Sequence, residues 1–285
     1  MIKNLFHQQH LDMPTLILQN KNFDTIGSIT NASELTYKEN FNAADEISFL
    51  IYKYVNGKAC DIWDSIVDTA VLYVPELEER FEITVSKSEN GSVQKTVTGT
   101  SLCESELSQT KLYDIEINTE NDIARPDYDE NYPTLFYRDL SGYEKGSEIY
   151  EKLRGSSLLH RLLEKASNYE IGHVDESLAK LTSVKQFTVN DTDIYSVLTG
   201  EIAEEYGVLF LFDSITRTVF AYDLYNTCQN CGYRGDFQDA CPKCGTKNFS
   251  GQYGTDTAVF ISCQNLASEL KLESDASSLK NCFKN

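Results

Sequence analysis

The sequence has no run approaching the roughly 18 consecutive apolar residues of a membrane-spanning helix, and its opening, MIKNLFHQQHLDMPTL, carries no apolar block of a secretory signal. It reads as a soluble protein made in the cytoplasm. Basic residues are scarce: 25 Lys and Arg stand against 44 Asp and Glu, a formal net charge of −19. Such a surface repels phosphate backbones and anionic headgroups, so neither nucleic acid nor membrane is an expected partner. Cysteine is too sparse for a disulfide scaffold, with eight in 285 residues. Cys60, Cys103, Cys263 and Cys282 follow no spacing and are expected to be buried thiols in a reducing compartment. Internal repeats and low-complexity linkers are also missing.

What is present points to a folded, β-rich chain. Hydrophobic residues make up 41% of the sequence, with 17 Tyr and 14 Phe, and aromatic side chains favour pleated sheet. TLILQNKNFDTIGSI (15–29) reads as strand, turn and strand, and EISFLIYKY (46–54) alternates as a half-buried strand. WDSIVDTAVL (63–72) predicts a short helix entering a strand, with Trp63, Ile62 and Ile66 inside. FEITVSKS and VQKTVTGTSL flank Glu89-Asn90-Gly91-Ser92, where Asn-Gly suits a tight hairpin turn. These strands suggest an antiparallel sheet or small barrel.

An acidic stretch from Tyr113 to Tyr132 suggests a connection between domains. Beyond it, Ser156 is placed to cap SSLLHRLLEKASN, and Asp191 or Thr192 to open a helix that Gly207 ends after Tyr206. VLFLFD and RTVFAYDL then pair as a hairpin across Ser214-Ile215-Thr216. The expected class is α+β and β-rich. Four regions follow: a barrel-like region 1–112, an α/β region 113–225, a zinc ribbon 226–254 and a strand-rich return 255–285.

The ribbon rests on Cys228, Cys231, Cys241 and Cys244, a C-x2-C-x9-C-x2-C array with glycine after each pair. Two thiolates two residues apart grip one ion through a tight knuckle, and four sulfurs at about 2.3 Å complete a tetrahedron around Zn²⁺. A closed four-thiolate shell leaves no position for an activated water, so one structural zinc per chain is expected. Residues 226–250 hold Arg234, Lys243 and Lys247 against Asp236 and Asp239. The metal-loaded ribbon would thus be slightly negative and unsuited to nucleic acid.

Other patterns carry less. Asp127, Asp129 and Asn131 match the start of a calcium loop, but Tyr132 stands where glycine is needed and Arg138 where the bidentate Glu belongs. His7 and His10 do not form a metalloprotease motif, and Ser101 in GTSLC lacks the last glycine of a nucleophile elbow. His160 after Leu158-Leu159 suits a partly buried structural role, and His173 is uninformative. No catalytic residue is assigned, although a hidden carboxylate pair would look the same in sequence as surface charge.

Taken in order, the segments PTLILQNKNFDTIGSI, ADEISFLIYKY, WDSIVD, PELEERFEITVS, TGTSLCESELSQ, INTENDIARPDY, SSLLHRLLEKA, CGYRGDF with CPKCG, and LKNCFKN resemble the N-terminal hub region of phage minor structural proteins. These are also called tail-associated lysins or prophage tail endopeptidases, and the resemblance runs nearly end to end. It implies a fold like the baseplate hub of T-even phages, with barrel-like domains and smaller α/β elements in a homotrimeric ring closing the tail tube. It further implies a place at the virion tail tip, assembly with distal tail and tape-measure proteins, and lytic or receptor-binding modules beyond this region. The expected role is therefore structural and non-enzymatic. A cell-wall hydrolase, endopeptidase or glycosidase, is the alternative.

Overall fold

The computed structural model describes residues 14–40, 43–87, 93–113, 115–117, 130–166, 168–181, 187–237 and 239–250. It is β-rich with short helices, an α+β fold. The first half is built from β1 (Leu16–Gln19), β2 (Thr25–Ile29), β3 (Ala32–Lys38), β4 (Glu46–Tyr52), β5 (Tyr54–Val55), β6 (Lys58–Ala59), β7 (Val71–Val74), β8 (Glu79–Lys87) and β9 (Gln94–Ser101). Seven of these form one antiparallel sheet in the order β2-β1-β7-β8-β9-β4-β3. The sheet curls into a half-barrel, in keeping with the expected barrel-like region, and among the described residues its end strands, β2 and β3, do not pair with each other.

Period-two alternation decides which face is buried. Ile47, Phe49 and Ile51 of β4 and Lys95, Val97, Gly99 and Ser101 of β9 point inward, while the residues between them are half-buried or exposed. Gly99 is required by close packing: a Cβ there would lie 2.8 Å from Ile47 Cγ2 and 2.9 Å from Phe81 Cβ. The β8–β9 pairing runs from Phe81 opposite Ser101 to Lys87 opposite Lys95. The Glu89–Ser92 turn expected between these strands lies outside the described residues. A second Asn-Gly does form a tight turn, between β5 and β6, where Asn56 (φ 51°) and Gly57 (φ 77°) both take the positive φ of a type I′ turn.

Only a single 3-10 turn, Trp63–Ser65, forms where a short helix was expected, because Ile66 is already extended (φ −81°, ψ 93°). The following residues are tied to β8 instead: Val85 N donates to Asp68 Oδ1 (2.6 Å) and Thr69 N to Ile83 O (2.8 Å). Trp63 and Ile66 are buried as expected, and Ile62 is half-buried against the same core. Beneath Trp63 lies the buried Lys95, whose Nζ donates to Trp63 O (2.6 Å) and Ile66 O (2.7 Å). The same ammonium sits 4.4 Å from the indole ring centre. A charge this buried is tolerated because carbonyl oxygens and an aromatic face replace its water.

The second half comprises α1 (Leu102–Gln109), β10 (Lys111–Leu112), β11 (Ile115–Ile117), α2 (Glu148–Gly155), α3 (Leu158–Leu163), β12 (Glu170–Val174), α4 (Glu176–Ala179), β13 (Phe187–Val189) and β14 (Thr192–Asp193). It continues with α5 (Ile194–Ser196), a π-helical stretch Val197–Ile202, α6 (Ala203–Tyr206), β15 (Val208–Asp213) and β16 (Thr218–Asp223). β15 and β16 form the expected hairpin, and β12 lies parallel on the other side of β16. A separate apolar core forms here from α1 (Leu107), α3 (Leu158, Leu159, Leu162), the α5–α6 segment (Ile194, Leu198, Ile202), β15 (Phe210) and β16 (Val219).

Two helix starts sit slightly later than the sequence suggested. Ser157 rather than Ser156 caps α3, because Ser156 Oγ is taken by Arg138 Nε and Leu153 O. Asp193 caps α5, its Oδ1 accepting from Ser196 N at 2.8 Å. Gly207 ends α6 in the left-handed region (φ 61°), as expected.

Met13–Asp223 forms one compact unit, and a separate unit begins at Leu224. No helix among the described residues is long and apolar enough to cross a membrane.

Trp63 is 7% exposed and is the chain's one tryptophan. Trp63→Ala is expected to cost about 3–5 kcal/mol, since it leaves a cavity over a buried ammonium. Chemical denaturation followed by circular dichroism measures this; a loss below about 1 kcal/mol would contradict the packing.

Candidate metal centre

The ribbon has little apolar core to fold around. β17 (Asn226–Cys228) pairs with β18 (Arg234–Gly235) and β19 (Phe249–Ser250). Its buried cluster is Cys228, Cys241 and Phe237, with Cys231 and Phe249 packed alongside. Phe237 meets Phe249 edge-on at 5.1 Å between ring centres, and Arg234 stacks 4.8 Å from the Tyr225 ring.

The two Cys-x-x-Cys segments fold identically. Cys228 N donates to Tyr233 O (2.8 Å) and Gly232 N to Cys228 O (2.9 Å). In the second copy Cys241 N donates to Thr246 O (2.8 Å) and Gly245 N to Cys241 O (2.8 Å). Gly232 (φ 69°) and Gly245 (φ 71°) occupy the left-handed region that closes each knuckle. The glycine after each cysteine pair is thus a backbone requirement.

The knuckles face each other and bring all four Sγ atoms within 4.8 Å of one another. Cys228 and Cys244 sulfurs are 3.5 Å apart, and those of Cys231 and Cys241 3.6 Å. A tetrahedral ion with metal–sulfur bonds of about 2.3 Å needs sulfurs about 3.8 Å apart, so the cluster is already near the size of such a shell. Cys228 and Cys241 are buried at 1% exposure, Cys231 is half-buried and Cys244 exposed.

Hydrogen bonding favours ionised sulfur on the outer side. The Thr246 backbone N–H lowers the Cys244 thiol to about 6, against burial, with help from the Asn230 amide 3.7 Å away. Cys231 would be lowered by the Tyr233 N–H. Burial and hydrogen bonds with the neighbouring thiols instead push it up to about 12. Four sulfurs this close cannot all ionise without a cation, and a divalent ion replaces the shared protons. The residues therefore fit a soft divalent metal in a closed shell, one that gives the ion a structural part and leaves no free coordination position.

Residues that the sequence set aside have structural employment. Ser101 stands at a strand-to-helix junction, but it is buried and its hydroxyl donates to Glu79 Oε1 (3.0 Å). His160 Nε2 contacts Arg138 O (3.0 Å) beside the Tyr137 ring, and burial lowers its pKa, as a partly buried structural histidine should behave. His173 Nε2 meets the buried Asp175 Oδ1 at 2.8 Å. Cys103 is buried and its thiol raised by burial, while Cys60 is only half-buried; Cys263, Cys282, His7, His10, Asp127 and Asp129 lie outside the described residues.

A polar cluster without a sequence signature ties α1 to the loop before β12 and to the β15–β16 turn within the second half. Arg217 holds Glu106 with two hydrogen bonds, Nε to Oε2 (2.9 Å) and Nη2 to Oε1 (2.7 Å), and Tyr169 donates to Oε2 at 2.7 Å. Its members are 63 and 111 residues away from Glu106 along the chain. No local pattern could have linked them.

No protein-family model matches the chain, and no curated protein does. Among solved structures it is similar to prophage tail protein gp18 from Listeria monocytogenes EGD-e, with a TM-score of 0.43 and 9% identity over 73% of this chain and 50% of that one. It is also similar to the 43 kDa tail protein of prophage MuSo2 from Shewanella oneidensis, with a TM-score of 0.40 and 9% identity over 75% and 56%. The chain thus spans about half the length of these proteins, and the likeness is a distant one of fold.

Protein purified without chelator is expected to contain one metal ion per chain, and Cys241→Ser to lose it. Removing the metal should unfold the ribbon while leaving the Met13–Asp223 unit intact. Elemental analysis with amide hydrogen exchange reads both effects; a metal-free native protein, or unchanged metal in Cys241→Ser, would remove the assignment.

Proposed function

We propose that this chain is a structural component of a phage or prophage tail tip. In that role it is a hub that closes the tail tube as a homotrimeric ring and links the distal tail protein to lytic or receptor-binding modules. The metal of the ribbon is Zn²⁺, one per chain, held by Cys228, Cys231, Cys241 and Cys244. Tape-measure and distal tail proteins are the partners; nucleic acid and membrane are not.

The observation that carries this reading is where the ordered resemblance falls. PTLILQNKNFDTIGSI covers the β1–β2 hairpin, ADEISFLIYKY covers β4, and WDSIVD holds Trp63 and Ile66 of the first core. PELEERFEITVS includes most of β8, TGTSLCESELSQ spans the β9–α1 junction, and SSLLHRLLEKA is α3, the centre of the second core. The resembling segments within the described residues contribute to both cores and the ribbon, while INTENDIARPDY beyond Ile117 and LKNCFKN lie outside them. A resemblance confined to surface loops would carry no such weight.

Charge shapes the assembly. Each chain carries −19, so association of like copies is opposed most at low salt and tightens as salt screens the repulsion. Cyclic symmetry lets identical heterologous patches close a ring once docking raises the local concentration.

Gold-labelled antibody against this chain is expected to mark one end of the tail in induced particles. Purified chain should leave host cell walls uncleared in a zymogram. Particles without label would overturn the tail reading, and clearing that survives in repeated pure preparations would replace the structural role with that of a cell-wall hydrolase.

A further inference from the structure

Glu104 occupies the first turn of α1, the helix that follows β9 without a break. Glu104 is half-buried, and its Oε2 is buried with no hydrogen-bond partner among the described residues. Around it stand three further acids from separate parts of the chain: Asp45 and Glu46 at the entry to β4, and Asp193 capping α5. The entry to β4 is tied to the start of α1, because Ser101 N donates to Asp45 O at 3.0 Å. α1 in turn packs against β14 and α5. Glu104 is therefore at the seam where the sheet meets the second core.

We propose that Glu104 is a proton-operated latch: protonated, it lets α1 close against the Asp45 loop and the Asp193 cap; ionised, it loosens that seam.

The neighbouring groups support this on every side. Asp45 is fixed in place by Tyr37, whose hydroxyl donates to Oδ2 at 2.7 Å, and by Asn40 N, which donates to Oδ1 at 3.0 Å. Among the described residues Glu46 meets a weak counter-charge, Lys38 at 3.9 Å on an exposed flank. Asp193 uses its carboxylate to hold Ser196 N and Oγ, and Lys111 stands opposite it in the β10–β14 ladder. α5 adds Tyr195, a buried phenol whose ionisation is pushed up by burial and by Glu104 and Asp45. The acids that β8 brings to α1 are used elsewhere, Glu79 accepting from Ser101 and Glu82 from Ser105. β15 contributes Asp213, which binds the backbone of its own turn.

Burial, then the charges of Glu46, Asp45 and Asp193, raise Glu104 from 4.5 to about 7. The sign follows from linkage. When the seam opens, Glu104 returns to an ordinary carboxyl and releases its proton. Opening is therefore favoured as pH rises from about 4.5 to about 7, by about tenfold per pH unit, and is constant above that range.

Amide hydrogen exchange of Leu102–Gln109 and Ile194–Ser196, corrected for intrinsic rates, reads the latch across pH 5–8. The wild-type protein is expected to lose protection up to about pH 7 and then level off. Glu104→Gln, neutral at every pH, should keep its protection throughout, and Asp193→Asn, which still caps α5, should bring the plateau to lower pH. The same pH slope in Glu104→Gln as in wild type would overturn the proposal. Millimolar calcium restoring protection at pH 7 as fully as acid does would overturn it too, because a cation rather than a proton would then complete the site. Should Glu104→Gln fail to fold, the Asp193→Asn shift decides: a displaced plateau supports the latch and an unmoved one removes it.

Discussion

The contact of the Arg80 and Arg217 guanidiniums with the Phe23 ring is the constraint that ties the sheet to the second half of the larger unit. Burial accounts for each apolar core separately. α1 begins where β9 ends, lends Leu107 to the second core, and carries Glu106 on its flank. Burial alone would raise the Glu106 carboxyl; the Arg217 guanidinium and Tyr169 hydroxyl outweigh it and hold the carboxyl below its ordinary value. Both side chains are under a third exposed, so water screens the pair only partly. Arg217 also lies 5.0 Å from the Phe23 ring centre, and Arg80, 4.3 Å from the same ring centre, donates its backbone N–H to Ser214 Oγ. One strand turn of the sheet and one hairpin of the second half are thereby joined through two arginines and a phenylalanine.

The ribbon obeys a different constraint. Its buried cluster consists largely of the clustered cysteines themselves, so the groups that would fill a core are the groups that could hold an ion. Folding free energy in such a module is mostly metal-binding free energy. This explains why two knuckles with superposable hydrogen bonding suffice where a hydrophobic core would need several more large side chains.

Local rules were the legible part of the sequence. The β1–β2 turn, the alternation of β4, the β8–β9 pairing, the β15–β16 hairpin, Gly207 and the four-cysteine cluster all follow from residues within a few positions of one another. Failures came where tertiary contacts compete. Ser156 is a good cap by type, yet Arg138 from a distant loop claims its hydroxyl and the helix starts at Ser157. The helix expected from Trp63 stops after one turn because Asp68 and Thr69 bind β8. The buried Lys95 looks like any surface lysine in a β-strand pattern, since only the carbonyls of a segment 29 to 32 residues away make its burial tolerable.

The acid-rich composition was the least legible feature, and its explanation is geometric. Asp45 accepts Asn40 N, Asp68 accepts Val85 N, Asp175 accepts the Asp223 N–H, Asp193 accepts Ser196 N, and Asp213 accepts both Ile215 N and Thr216 N. Asp45, Asp193 and Asp213 satisfy backbone donors at a turn or helix start, and Asp68 and Asp175 satisfy donors of the strands β8 and β16. A sequence reader sees an acidic chain and asks whether two carboxylates form a catalytic pair. In the folded protein several of these carboxylates serve instead as acceptors that hold loops, strand ends and helix starts. Ionised carboxylates are stronger acceptors of N–H bonds than neutral oxygens, so Asp at Asp45, Asp193 and Asp213 suits these connections better than a neutral side chain would. The same economy leaves a few acids, Glu104 chief among them, crowded together at a seam with too few donors to serve them all.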